Sequence, residues 1–309
     1  MRIGIIDFGT NTLRLNIFET EEAEYRSIYD FAIYSKIVEN TVGTSLSQDG
    51  IEHVIQAIEE HQQACRHYRC DKVECFSTAS LRYVDNAEDV LMQVEFRTGI
   101  KIKMITGDEE ADYDYLAIKS VTEEKCGTGC DLGGGSIQVF VYDENGPHKS
   151  ASFPLGSSRT AKRFVKGAVP TAKEIKDIKN CVFESLSAEG FGKSGGTLFA
   201  MGGTAKAIQK LYNATVGKGN EITLKSTNLM LDLLTEKPEE ATELIADIAP
   251  NRIRTLIPGM AVLAGVMEKT GCDKMKIYSV GVREGFMESI LNGDSKPEPS
   301  IIDIIMGCI

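Results

Sequence analysis

Residues 1–19 read MRIGIIDFGTNTLRLNIFE, and residues 127–143 read GTGCDLGGGSIQVFVYD. Each stretch is a short apolar run ending near an aspartate, Asp7 or Asp131, then a turn of small residues, then a second alternating run. Alternation with period two is the pattern of a half-buried strand, and small residues between two such runs mark a hairpin. Aligned on the aspartates, Asp7-Phe8-Gly9-Thr10-Asn11-Thr12-Leu13-Arg14-Leu15 faces Asp131-Leu132-Gly133-Gly134-Gly135-Ser136-Ile137-Gln138-Val139. A lone glycine-rich turn is a weak signal. Two in matched register, each between strands, predict an internal duplication.

Working outward, residues 2–8, 13–19 and 24–34 read as three strands. An amphipathic helix follows from Ser47 to Tyr68, with Ile51, Val54, Ile55 and Ile58 on one face. His61 and His67 are placed on its polar, solvated face. A strand at 72–77, a helix to about Arg97, a strand at 100–105 and a helix at 108–120 complete the first copy. The order then restarts, with strands at 128–132, 136–142 and 148–154, and helices at 157–167 and 171–188. A strand at 198–201 leads into a helix at 204–212. Residues 225–270 read as helical, broken by Pro238, Pro250 and Pro258, before a strand at 276–279 and a helix at 282–291. This is a duplicated α/β chain of mixed sheets flanked by helices. It is divided into domains at 1–120 and 121–292, with the two turns facing across an interdomain cleft. The tail from 293 holds the apolar Ile301–Ile305. It is read as a short helix that packs on the N-terminal domain or covers a homodimer interface.

The chain has 309 residues, with 42% hydrophobic and 26% charged, as in ordinary globular proteins. No apolar run is long enough to span a bilayer and no signal peptide opens the chain, so a cytoplasmic protein without membrane association is expected. Eight cysteines in such a chain are expected to be free thiols, and neither they nor the four histidines have zinc spacing. A net charge of −11 argues against general nucleic-acid binding. It leaves room for a small or linear polyanion in a local pocket. The stretch from Arg159 to Lys179 is basic against this average. Lys173, Lys176 and Lys179 read as a solvated helix face. Arg159, Lys162 and Arg163 follow the turn Gly156-Ser157-Ser158, a position where a helix start can help hold an anion.

The turns themselves suggest the ligand. Glycine brings backbone amides close to a ligand, and successive amides form an anion-binding nest. Thr10, Asn11, Thr12 and Ser136 add side-chain donors. Asp7 and Asp131 complement them by holding a cation that offsets phosphate charge. A third turn, Gly202-Gly203-Thr204, lies between a strand and a helix, where phosphate meets a helix N-terminus. It is neither a Walker A loop nor a dinucleotide fingerprint.

These stretches resemble the phosphate-binding loops of the actin-like, sugar-kinase and chaperone ATPase superfamily. IGIIDFGTNTLRL, FSTASLRYVDN, ITGDEEADYDYLAI, CDLGGGSIQVF, FPLGSSRTAKRF, FAMGGTAKAI and YSVGVREGF are similar, in order, to motifs of the exopolyphosphatase / guanosine pentaphosphate phosphohydrolase family in its short, two-domain form. The resemblance implies two actin-like, ribonuclease H-like domains and magnesium-assisted hydrolysis of a terminal phosphoanhydride. The substrate would be inorganic polyphosphate or guanosine pentaphosphate. It implies Glu110 as the base that activates water. Thr106 and Glu109 have capping-box spacing, which leaves Glu110 the freer carboxylate, although both glutamates also suit a helix start. The resemblance implies that Arg82 contacts phosphate. Arg14 and Arg283 are further candidates, the latter equally suited to a cap or an interdomain salt bridge. Where the family has Gly-Gly-Gly-Ser-Thr-Glu, this chain ends in Gln138, which keeps the length and loses the charge. A sugar or acid kinase of the same superfamily and a nucleotide- or alarmone-binding regulator without turnover are the other function classes.

Overall fold

A computed structural model describes residues 1–293 apart from 10–11, 23, 35–36, 38–39, 79–80 and 82–83. Thr10, Asn11, Arg82 and the tail therefore lie outside the described residues. The chain divides into two compact units.

In the first unit, β1 (Arg2–Phe8), β2 (Thr12–Glu21) and β3 (Glu24–Tyr34) form an antiparallel meander. The small hairpin β4 (Thr41–Val42) and β5 (Ser45–Leu46) precedes helix α1 (Gln48–His67). Strand β6 (Lys72–Ser77) then pairs parallel with β1. After helix α2 (Ala87–Thr98), β7 (Ile102–Met104) pairs parallel with β6. The sheet order is β3-β2-β1-β6-β7.

The second unit repeats this. Strands β8 (Gly127–Leu132), β9 (Ile137–Asp143) and β10 (Gly146–Phe153) form the meander, and β11 (Thr197–Met201) and β13 (Lys274–Ile277) extend it in parallel. The order is β10-β9-β8-β11-β13, to which β12 (Glu221–Thr223), unforeseen in the sequence, adds an antiparallel edge. Three antiparallel strands followed by two parallel ones, twice, is the duplicated actin-like fold.

Register confirms the duplication residue by residue. Asp7 pairs with Arg14 and Phe8 with Leu13, while Asp131 pairs with Gln138 and Leu132 with Ile137.

Helix α3 (Gly107–Lys119) groups with the second unit, whereas the sequence places the boundary after it. Its Ala111 and Ile118 are buried with Phe140, Tyr142, Phe199 and Met201 of β9 and β11, and those aromatic faces decide its allegiance. The unit's other helices are α4 (Ser157–Phe164), α5 (Ala172–Ala188), α6 (Gly202–Thr215), α7 (Leu224–Glu236), α8 (Pro238–Ile248) and α9 (Leu256–Thr270). Helix α9 is buried nearly all round and forms the centre of the core. Pro238 and Pro250 do start new elements, but Pro258 sits in the first turn of α9 and does not break it. In that turn a missing N–H costs nothing. The other unit boundary falls inside α10 (Val282–Leu291).

His61 corrects the expectation of a solvated face. Along α1 the buried residues run Val54, Ile58, His61, Cys65, so His61 belongs to the apolar stripe and is fully buried. Its Nε2 lies 3.1 Å from the Leu13 carbonyl oxygen and donates to it, and Phe31 packs edge-on. Burial pushes its pKa below the ordinary 6.5. Below that pH the unfolded chain binds a proton that the native state resists, so stability falls as pH drops through 6.5. In urea titrations followed by circular dichroism, the midpoint of wild type should decline from pH 7 to pH 5 more steeply than that of His61→Gln. This variant keeps a donor for Leu13 and does not titrate.

Candidate functional site

The site in the second unit grows from one turn. Gly133 N donates to Ser136 O at 3.1 Å, closing the β8–β9 hairpin. The first unit has the same closure, from Gly9 N to Thr12 O at 3.0 Å. In the second unit the turn carries a further constraint. Gly156 N reaches Gly135 O (3.3 Å), Ser157 N reaches Gly133 O (2.9 Å), and Ser158 N and Arg159 N reach Gly134 O (2.9 and 3.1 Å). The N-terminal amides of α4, expected from sequence to face an anion, are thus engaged by the carbonyls of the turn. Gly156 is required here, because a β-carbon would overlap Ser136 N and Gly134.

This pinning orients the turn. In a planar trans peptide the N–H points opposite to the C=O. With the carbonyls of Gly133, Gly134 and Gly135 turned toward α4, the amides of Gly134, Gly135 and Ser136 face the other way. Three consecutive backbone donors are thereby presented on the face away from α4.

A second helix start adjoins the aspartate. Strand β11 ends at Met201, and Gly202 turns into α6 with φ +92°. A β-carbon at Gly202 would lie 2.6 Å from both Asp131 Oδ1 and Leu132 O, so glycine preserves the space at the Asp131 carboxylate. A hydrogen-bond chain ties the parts together. Arg252 Nη1 donates to Thr204 Oγ1 (2.9 Å), Thr204 donates to Ser157 Oγ (3.1 Å), and Ser157 donates to Gly133 O (3.3 Å). The Arg252 guanidinium lies directly over Gly203, on the first turn of α6. The guanidinium therefore sits at the N-terminal end of α6.

Gln138, opposite Asp131 and only 2% exposed, donates through Nε2 to Ser136 Oγ (3.1 Å) and Ser152 Oγ (3.2 Å). It therefore braces the turn against β10. Its counterpart Arg14 points its guanidinium into a two-bond ion pair with Asp30, both contacts 2.6 Å. Arg14 is thus committed to the sheet surface of the first unit.

Glu110 is buried in the first turn of α3. Asp114, one turn later on the same face, is fully buried too. Asp114 and Asp131 both act on the Cys130 thiol, whose pKa is raised by burial first and then by these charges. The α3 helix is held to β10 by Ser150 Oγ donating to Asp108 Oδ1 at 2.7 Å. It also meets α10, where a β-carbon on Gly285 would overlap the Tyr113 carbonyl. Arg283, two residues earlier, is 9% exposed. On α4, Arg159, Lys162 and Arg163 are exposed, with Arg163 stacked over Phe164 at 4.8 Å.

Asp131, Gly133–Ser136, Gln138 and Gly202–Thr204 therefore form one locus, as their motifs suggest. Arg252 and Asp114 were not singled out in the sequence. Arg252 follows Pro250 in a short 3-10 turn with no periodic pattern. Asp114 was legible only as the partner of Glu110 at helical spacing.

Comparison with known proteins identifies the family. The model of the Ppx/GppA phosphatase family matches residues 30–293. Exopolyphosphatase 1 of Mycobacterium tuberculosis is 20% identical over 308 residues, covering 96% of this chain and 90% of that protein. Guanosine-5'-triphosphate,3'-diphosphate pyrophosphatase of Aeromonas hydrophila is 24% identical over 232 residues, 72% of this chain and 46% of that protein. The crystal structure of the Aquifex aeolicus Ppx/GppA family member has a TM-score of 0.82 at 23% identity, covering 96% of this chain and 99% of that one. A match spanning both units, over a fold duplicated down to the turn hydrogen bonds, places the chain in the Ppx/GppA phosphatase family.

Proposed function

We propose that this protein is a phosphohydrolase that releases terminal phosphate from inorganic polyphosphate by in-line attack of water. The observation that carries this reading is the turn at Gly133–Ser136, whose carbonyls are held by α4 while three amides face away. Such donors match the equatorial oxygens of a phosphoryl group in flight, where catalysis is positioning and charge stabilisation. The α6 start at Gly202–Thr204 and the Arg252 fork supply further donors to a polyanion. In the first unit Asp7, Gly9, Thr10, Asn11 and Thr12 are proposed as the corresponding ligands, and Arg82 and Arg283 are proposed as further phosphate ligands. Glu110 orients the attacking water and takes up its proton as the phosphorus–oxygen bond forms. Its burial keeps the carboxylate from bulk solvent.

Among the described residues no three His, Cys, Asp or Glu groups are placed to hold a metal by themselves. Magnesium is the proposed cation, since it binds through one or two carboxylates together with substrate phosphates. Asp131, with the space that Gly202 preserves, suits that role, and Asp7 is proposed for it in the first unit. Magnesium would offset phosphate charge. The exposed Arg159, Lys162 and Arg163 on α4, just beyond the turn, favour a chain of phosphates over a single nucleotide. Guanosine pentaphosphate remains the alternative substrate, given the relative that carries that name. The neutral Gln138 favours a second reading, a regulator that binds without turnover.

Phosphate release measured with polyphosphate, guanosine pentaphosphate and ATP, with and without magnesium, separates these readings. Magnesium-dependent release from polyphosphate is expected. Binding without release would favour the regulator, and release from ATP alone would favour a kinase-like chemistry. Glu110→Gln should lower kcat by about 10²-fold or more with the melting temperature unchanged, in line with loss of a general base. Unaltered turnover would remove Glu110 from the mechanism. Arg252→Lys keeps the charge and loses the fork, so KM for polyphosphate should rise about tenfold, worth roughly 1.4 kcal/mol.

A further inference from the structure

Outside the phosphate site, the end of α1 brings two cysteines together. The helix stops in a Schellman motif, in which Cys70 N donates to Cys65 O (2.9 Å) and Arg69 N to Arg66 O (3.1 Å). Arg69 takes the left-handed position with φ +52°, where glycine is usual. This motif sets the side chains of its first and last residues against each other, most often as an apolar contact. Here those residues are Cys65 and Cys70, the first and last of the motif. Gly4 of β1 makes room for the pair. A β-carbon there would lie 2.7 Å from Cys65 Sγ and 3.7 Å from Cys70 Sγ. Arg2 closes the group by donating Nη1 to Tyr68 O (2.8 Å) and its backbone N–H to Asp71 Oδ2 (2.7 Å).

The two thiols are unequal. Cys70 is half-buried, and Cys65 is 3% exposed. The neighbouring Cys65 thiol, and to a smaller extent Arg2, lower the Cys70 pKa, whereas Cys70 and burial raise that of Cys65. A half-buried, reachable thiol placed beside a second, buried thiol is the arrangement of a reversible oxidation site.

The geometry points to Cys65 and Cys70 as a modification site that a hydroperoxide or a small disulfide converts to an intramolecular disulfide. With hydrogen peroxide, the Cys70 thiolate attacks one oxygen and breaks the O–O bond, giving a sulfenic acid and hydroxide. The Cys65 thiol then attacks the Cys70 sulfur, forming the S–S bond and releasing water. Two thiols supply two electrons and the peroxide is reduced to two waters, counting the hydroxide once protonated. The proposal does not depend on the catalytic reading.

It is tested on the full chain, reduced and then treated with hydrogen peroxide. Remaining thiols are blocked with N-ethylmaleimide and the sites mapped by mass spectrometry. Expected is a Cys65–Cys70 crosslinked peptide that dithiothreitol reverses, with the exposed Cys126 still alkylated. In Cys65→Ser, Cys70 should instead be trapped by dimedone as the sulfenic acid. In Cys70→Ser, oxidation of Cys65 should be at least about tenfold slower. Oxidation of Cys126 with Cys65 and Cys70 left alkylatable would overturn the assignment. So would build-up of sulfinic acid on Cys70 without the crosslink. The wild-type map decides the matter even if a variant fails to fold.

Discussion

The hydrogen bonds between the first amides of α4 and the carbonyls of Gly133, Gly134 and Gly135 are the constraint on which the second unit's site depends. Glycines alone would leave this turn free to rotate its peptides. Four donors from one helix end fix which face carries carbonyls, and therefore which face carries amides. The helix end commits its amides to the loop, and the loop is left with its own amides on the opposite face. Gly156 is the cost of that closeness, since no side chain fits between the two segments. Gln138 adds a brace from behind, joining the turn to Ser152 of β10.

The duplication shows how one hairpin design serves different local ends. Both copies keep the aspartate, the turn closure and the strand register. They differ at the residue opposite the aspartate. Arg14 is charged, half exposed and bound to Asp30, whereas Gln138 is neutral, buried and bound to serines. The same register position thus lies on the sheet surface in one copy and beneath the glycine turn in the other. A neutral side chain there leaves Asp131 without a carboxylate directly across the strand pair.

Much of this was legible in the sequence because it is local. Period-two runs around Asp7 and Asp131 give the hairpins, and the repeated order of strands and helices gives the duplicated sheet. Elements that depend on distant partners were not legible. Strand β12 has three residues and exists because β13 offers it an edge. His61 looked polar by residue type, but its position on the α1 stripe and the Leu13 carbonyl opposite outweigh its chemistry. Helix α3 was divided from the sheet it packs on because its aromatic partners follow it in sequence. Arg252 reaches Thr204 across 48 residues, and no local pattern marks it. The contacts of the Gly156 turn were not legible either, because the carbonyls its amides meet come from another hairpin.

The placement of Arg252 over the first turn of α6 has a thermodynamic corollary. Arg252, Thr204, Ser157 and Gly133 are joined in one run of hydrogen bonds, so the start of α6, the start of α4 and the hairpin turn are held as a unit. Removing any link releases partners on two other elements, so substitutions along this run are coupled in their effect on stability rather than additive.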